Sequence, residues 1–242
     1  MLTPGNHKLG GHLIWGFGLP SGTPDTCPGL SETCRTHCYA VAFERYRPAA
    51  AAKCRRNLAL ARRRDFERLV RAFLVLHRVR VVRVHVGGDY FSARYARKWL
   101  RVMRRSPRTL FYFYSRSWRV AAIKAVIDRM AELPNCRAWY SIDNSTDLPA
   151  DVPPRVRLAW LMTAPDDDPP AGTHLVFRIR RLRHRSAAVS GSPVCPGEDG
   201  VARSRPVTCD HCGHCWRPTT TGRVALPVIV PTPSPPGSCG GR

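Results

Sequence analysis

The chain has 242 residues, 43% of them hydrophobic, which is enough for one sizeable core. No stretch reaches the roughly 20 apolar residues of a membrane span, and Met1 to Gly11 lacks the charged-then-apolar pattern of a secretory leader. The expected compartment is therefore cytoplasmic, without membrane contact; the formal net charge of +22, almost all of it arginine, favours an anionic substrate, an acidic partner or nucleic acid.

In chain order, His12 to Phe17 reads as a strand that breaks at Gly18 and Pro20 into a loop bearing the first cysteines. Apolar residues at three-to-four spacing predict helix from Thr36 to His77, divided into two by Pro48. Val79 to Val86 alternates Arg with Val as a strand does and stops at Gly87-Gly88-Asp89. A helix over Tyr90–Met103, a strand over Thr109–Tyr114, a helix over Trp118–Leu133 and a strand over Cys136–Ile142 follow. Beyond a polar loop from Asp143 to Asp147, strands are expected at Val156–Met162 and His174–Ile179.

Strands alternating with helices imply βαβ units and parallel pairing. With six strands and short connections after the fourth and fifth, the expected fold class is α/β, a partial (β/α)6-type barrel over residues 1–185. A cysteine-rich metal-binding extension is expected over 186–226, and a disordered Pro/Gly/Ser tail over 227–242, in which Cys239 is a thiol without a role.

Ten cysteines in a reducing compartment point to metal or catalysis rather than to disulfides. Cys27, Cys34 and Cys38 lie in one Gly/Pro loop between a strand and a helix. Three thiolates so close suit an iron–sulfur cluster with one iron left open; tetrahedral zinc would need a fourth ligand, such as His37 or Cys54. Cys54 and Cys136 otherwise read as packing residues. The second set is Cys195-Pro196 followed by Cys209-x2-Cys212-x2-Cys215. A tight run of three thiols with a remote Cys-Pro has the form of a ferredoxin cluster site, with zinc as the alternative metal. His211 and His214 are read as exposed or supporting residues.

Taken together, Thr26-Cys27-Pro28-Gly29, Cys34, Cys38-Tyr39-Ala40 and Arg83 to Phe91, which includes Gly87-Gly88-Asp89, resemble the radical S-adenosylmethionine superfamily. More narrowly, they look like the phage gene product 88 family, over Leu13 to Trp216. The resemblance implies a [4Fe–4S] cluster on Cys27, Cys34 and Cys38, with S-adenosyl-L-methionine chelating the open iron. It implies a second, auxiliary cluster on Cys195, Cys209, Cys212 and Cys215. Gly87, Gly88 and Asp89 would match the motif that receives the methionine amino group, Asp89 being the catalytic candidate. Ser115, Ser141, Asp143 and Asn144, with Arg116 and Arg178 also at strand ends, would contact cofactor or substrate. An electron donor of flavodoxin or ferredoxin type is the implied partner.

Two departures stand out. The spacing is Cys-x6-Cys-x3-Cys where the superfamily has Cys-x3-Cys-x2-Cys, and His37 takes the place of an aromatic residue. The rival expectation is a nucleic-acid-binding protein stabilised by zinc or iron–sulfur centres, without catalysis.

Overall fold

The Val/Arg alternation near residue 82 and the Phe/Tyr alternation near residue 112 become strands buried on both faces. The computed structural model describes residues 1–182, 192–198 and 207–217. Seven strands form one sheet in sequential order: β1 (Thr3–Pro4), β2 (Ile14–Phe17), β3 (Val81–Val84), β4 (Leu110–Ser115), β5 (Cys136–Asp143), β6 (Val156–Met162) and β7 (Leu175–Arg178). The six expected strands are all present and pair in parallel from β2 to β7, while β1 adds antiparallel to β2. The described sheet is open, with β1 and β7 at its edges.

One face of the sheet carries the helices. Phe17, Val82, Val84, Phe111, Phe113, Ala138, Tyr140 and Ile142 point into the main core. Against them pack α4 (Phe66–Leu76), α5 (Ala93–Arg104) and α6 (Ala121–Ala131). Ser92 caps α5 by accepting from the Tyr95 amide at 3.2 Å. Helix α5 then buries Tyr95, Trp99 and Val102 along one stripe. Phe17, Phe66 and Trp99 meet edge to face at 5.3–6.0 Å, each pair adding about 0.5–1.5 kcal/mol beyond area burial.

The opposite face is also covered. Residues one position out of phase, Ile14, Val81, Tyr112, Trp139, Ala159 and Leu175, pack against Leu9, Cys195 and Trp216. The C-terminal cysteine segment thus takes the side of the sheet that the helices leave open.

The region expected as two helices divides into four: α1 (Glu32–His37), α2 (Tyr39–Tyr46), α3 (Pro48–Arg62) and α4. Pro48 opens α3 at its first turn, where a missing N–H costs nothing. A further break falls at Cys38, whose backbone is extended, and another between Arg62 and Phe66. There Lys98 donates to the carbonyls of Ala61 at 2.8 Å and Arg63 at 2.6 Å, ending α3 with a cation from another helix. The expected helix from Trp118 begins as a 3-10 turn and becomes α6 only at Ala121. No described helix is long and apolar enough to cross a membrane. The tail over 227–242, with Cys239, and most of the expected 186–226 extension lie outside the described residues.

Candidate metal centres on the two sides of the sheet

The Cys27–Cys38 loop runs across the carboxyl ends of β3, β4 and β5 and is tied to each. At β3, Leu19 N–H donates to the Gly87 carbonyl at 2.8 Å, and Asp89 N–H donates to the Thr26 carbonyl at 2.8 Å. Gly88 N–H donates to Ser21 Oγ at 3.0 Å; Gly88 has φ +71, a conformation that glycine adopts without steric cost. At β4, Gly29 lies so close that a Cβ would stand 1.9 Å from the Arg116 carbonyl oxygen, and Arg119 donates to the Gly29 and Leu30 carbonyls. At β5, Ser31 Oγ donates to Asp143 at 2.7 Å, Thr33 N–H to Ser145 Oγ at 3.0 Å, and Thr33 Oγ1 to Asn144 Oδ1 at 2.7 Å.

These ties place the thiols. Ser31 caps α1 by accepting from the Cys34 amide at 3.0 Å. The extended residue Cys38 then turns the chain into α2, so that the Cys34 and Cys38 thiols hydrogen-bond to each other, with Cys27 in electrostatic range of Cys34. The Cys34 thiol and the amides of Ala40 and Val41 hold Cys38 below the usual thiol range, whereas Cys34 is pushed up. Burial, with Asp89 nearby, pushes Cys27 up to about 12.

The two acids of this end are committed to the chain itself. Asp89 accepts from Tyr90 N–H and Ser115 Oγ at 2.7 Å on one oxygen, and from the amides of Arg116 at 2.8 Å and Ser117 at 3.0 Å on the other. Burial raises its pKa, and those four donors work against the rise. Asp143 accepts from Ser31 and from Arg116 (2.8 Å) on one oxygen, and from Ser145 on the other. Arg116 is itself 8% exposed, and its Nε and Nη1 are buried without a partner, with Cys34 in electrostatic range. Open N–H donors on a buried cation in range of the Cys34 thiol suit an anionic sulfur centre.

On the other face, Cys195, Cys209, Cys212 and Cys215 all line one cavity of about 20 Å³, with Lys8 and His214. The short helix α7 (Cys209–Cys212) ends at Gly213, whose φ of +68 turns the chain so that Cys215 reaches the sheet. Trp139 Nε1 donates to the Cys215 carbonyl at 3.0 Å, Arg157 to the His214 carbonyl at 2.9 Å, and Trp216 Nε1 to the Cys209 carbonyl at 2.9 Å. Cys195 is held beside β7 by its amide, which donates to the Val176 carbonyl at 2.9 Å. Lys8 pairs with Glu198 at 3.1 Å, and Glu198 accepts from the Arg178 amide at 2.7 Å, which fixes the Cys195 turn. Burial pushes Cys195 up to about 12 and Cys215 higher. Lys8 and Arg83 lie in electrostatic range of Cys209, and Arg157 of Cys215.

Among the described residues, no three His, Cys, Asp or Glu side chains stand in metal-binding geometry. The fit of either set to a metal rests on its thiol donors and on the unpartnered cationic N–H groups around them. Of the remaining sequence candidates, Ser115 belongs to the Asp89 network, and Asn144 bridges Thr33 and Thr163. The Ser141 carbonyl accepts from Trp118. Cys136 is buried in the main core and Cys54 lies beside Gly18, as packing residues do. Sequence reasoning gave no role to Arg83, Tyr114, Trp139 and Arg157; apart from the place of Arg83 at the head of the resemblance motif, their signal was the strand period, which does not say what covers the second face.

The family model described as Gene product 88 matches residues 2–218. The chain is similar to the Gene 88 protein of Mycobacterium phage L5, with 31% identity over 150 residues, which are 57% of this chain and 60% of that protein. It is similar to the Gene 88 protein of Mycobacterium phage D29 at 28% identity over the same shares. The match therefore spans less than two thirds of either relative. No solved structure matches. The family match runs through both thiol sets and every strand of the sheet, and the chain belongs to the Gene product 88 family.

Proposed function

We propose that this protein is an iron–sulfur, S-adenosyl-L-methionine-dependent enzyme of radical type, with an active-site cluster on Cys27, Cys34 and Cys38 and an auxiliary cluster on Cys195, Cys209, Cys212 and Cys215. One observation carries the reading: three thiols are held over the carboxyl ends of parallel strands, beside a buried arginine whose Nε and Nη1 lack partners. Parallel α/β sheets place ligands at that end. In this reading β2–β7 form a partial barrel, with the helices outside and the auxiliary centre inside.

A cluster held by three protein thiolates supplies one-electron chemistry at an iron open to an outside ligand. The chain's own part is to fix and shield that iron. The loops after β3, β4 and β5 hold the thiols in place, and Arg116 offers charge-assisted hydrogen bonds to anionic sulfur or to a ligand carboxylate. Because Asp89 and Asp143 are filled by internal donors, their role is to shape the β3–β5 loops that would surround the ligand. The basic surface suits an acidic electron donor of flavodoxin or ferredoxin type, or an anionic substrate.

The test is iron, sulfide and zinc analysis of anaerobically reconstituted protein, with electron paramagnetic resonance of the reduced sample before and after adding S-adenosylmethionine. The expected result is about eight irons for two four-iron clusters, and a spectrum altered by S-adenosylmethionine. Zinc without iron, or clusters indifferent to that ligand, overturns the proposal. A second reading, a metal-stabilised nucleic-acid-binding protein, draws on the net charge of +22 and on Tyr39, Phe43 and Tyr46, exposed on α2 next to the thiol loop. Exposed aromatics among arginines stack on bases. It predicts zinc and oligonucleotide binding that weakens steeply with salt.

A further inference from the structure

Arg83 stands at the third position of β3, on the face shared with the C-terminal thiols, beside Gly16 on β2 and Tyr112 on β4. Gly16 has no side chain there, and Arg83 is half-buried. Its Nη2 donates to the Tyr39 hydroxyl at 3.1 Å. Tyr39 directly follows Cys38, and its own hydroxyl donates to the Val86 carbonyl. In the other direction, the guanidinium lies 5.7 Å from the centre of the Tyr114 ring. The Tyr114 hydroxyl is buried without a nitrogen or oxygen partner, its ring lies in the same packed cluster as Cys209 and Cys215, and Arg83 is in electrostatic range of Cys209. Arg83 Nε is buried without a partner, and among the described residues Arg83 forms no ion pair.

A half-buried cation without a counter-ion suits an anionic neighbour, and the C-terminal thiols pack on the same face of the sheet. The same side chain orients the residue next to Cys38. We propose that Arg83 is a positioning residue that couples the two thiol centres. The charge of the C-terminal centre fixes the guanidinium, and the guanidinium fixes Tyr39 and through it Cys38. The coupling is reciprocal, as thermodynamic linkage requires. This inference rests on the two-centre reading above, and its test separates the two.

The experiment is a cycle on the full chain, reading the reduction potential of the first centre by spectroscopic titration under anaerobic conditions. Emptying the second centre with Cys209→Ser and Cys212→Ser should shift the first-centre equilibrium about tenfold when Arg83 is present, about 59 mV for one electron. With Arg83→Gln the same emptying should leave it unmoved. Tyr39 is half exposed, so Tyr39→Phe removes the hydroxyl at little risk to folding and should also abolish the coupling. Arg83→Lys keeps the charge but not the fork and should restore at most part of it. Both centres loading with a shift that ignores Arg83 and Tyr39, or with no shift, overturns the coupling and leaves the proposed function standing. A chain that loads no iron at either set overturns both.

Discussion

Replacing Asp89 tests whether the acid that ends β3 serves the fold or a ligand. Its carboxylate accepts four hydrogen bonds of 2.7–3.0 Å, three of them from backbone amides, and it is 6% exposed. Asp89→Ala leaves those donors in the interior. Ser117 N–H keeps a partner, because it also donates to Ser115 Oγ at 3.0 Å, and the Ser115 hydroxyl can rotate, so the amides of Tyr90 and Arg116 are the two fixed donors left as orphans. At about 1–3 kcal/mol for each buried unsatisfied group, the loss is about 2–6 kcal/mol, lowered somewhat because a buried charge is removed as well. Asp89→Asn can keep its oxygen toward the Arg116 and Ser117 amides and turn its NH2 toward the Ser115 hydroxyl, which can accept, and the Tyr90 amide, which cannot, so it should lose about half as much. Urea unfolding of the reduced, metal-free chain gives these differences, and the rate of thiol labelling at Cys27 reports whether the loop tied by the Asp89 amide loosens with them. Variants within about 0.5 kcal/mol of the parent, with unchanged labelling, would refute the structural assignment. Such variants, if they also lost S-adenosylmethionine binding, would make Asp89 a ligand contact.

Three further outcomes follow from the same geometry. Gly29→Ala should destabilise by about 2 kcal/mol or more and speed thiol labelling of the first loop, because its Cβ meets the Arg116 carbonyl at 1.9 Å and neither backbone has slack; wild-type melting behaviour would count against that packing. His85 is buried, with Nε2 3.0 Å from the Tyr95 hydroxyl, and burial lowers its pKa to about 3. Below about pH 6.5 the unfolded chain takes up a proton that the folded chain refuses, so stability is full above that pH and falls as the pH drops toward 3. At pH 4.5 the loss is about 3 kcal/mol, and the stability of His85→Gln should be less steep in pH over that window; equal slopes would refute the assignment. Stripping metal with a chelator should lower the melting temperature of the parent chain by more than that of the Cys209→Ser, Cys212→Ser variant, which keeps only the first set; equal shifts would count against metal at the C-terminal set.

How much of this was legible follows from where each signal resides. Val156–Met162 was read to the residue because its alternation is regular, and its neighbours on both faces are strand partners and core. The two-residue β1 carries no period and exists only because β2 offers an edge. The break after α3 is set by Lys98 from α5, a contact that local sequence cannot announce. The seven thiols were legible as a set, since cysteine in a polar Gly/Pro loop has few other uses. What surrounds them was not. Arg83 and Arg157 sit at strand positions that look solvent-facing by alternation, and they are partly covered because a segment more than fifty residues downstream folds over them.

The two thiol sets are held by unlike means, and the difference bears on their roles. The first is suspended by polar ties from three separate loop regions, so its position depends on hydrogen bonds that open singly and at small cost. In the proposed reading, that suits a site that would admit a ligand. The second is set into the sheet face among Trp139, Trp216, Tyr112 and Leu175, where displacement would expose several large side chains at once. A centre so buried is suited to structural support or to relaying charge, and poorly suited to turnover of a substrate. In the proposed reading, chemistry would belong to the loop held by polar ties and permanence to the packed face, and the arginine between them is where the two would meet.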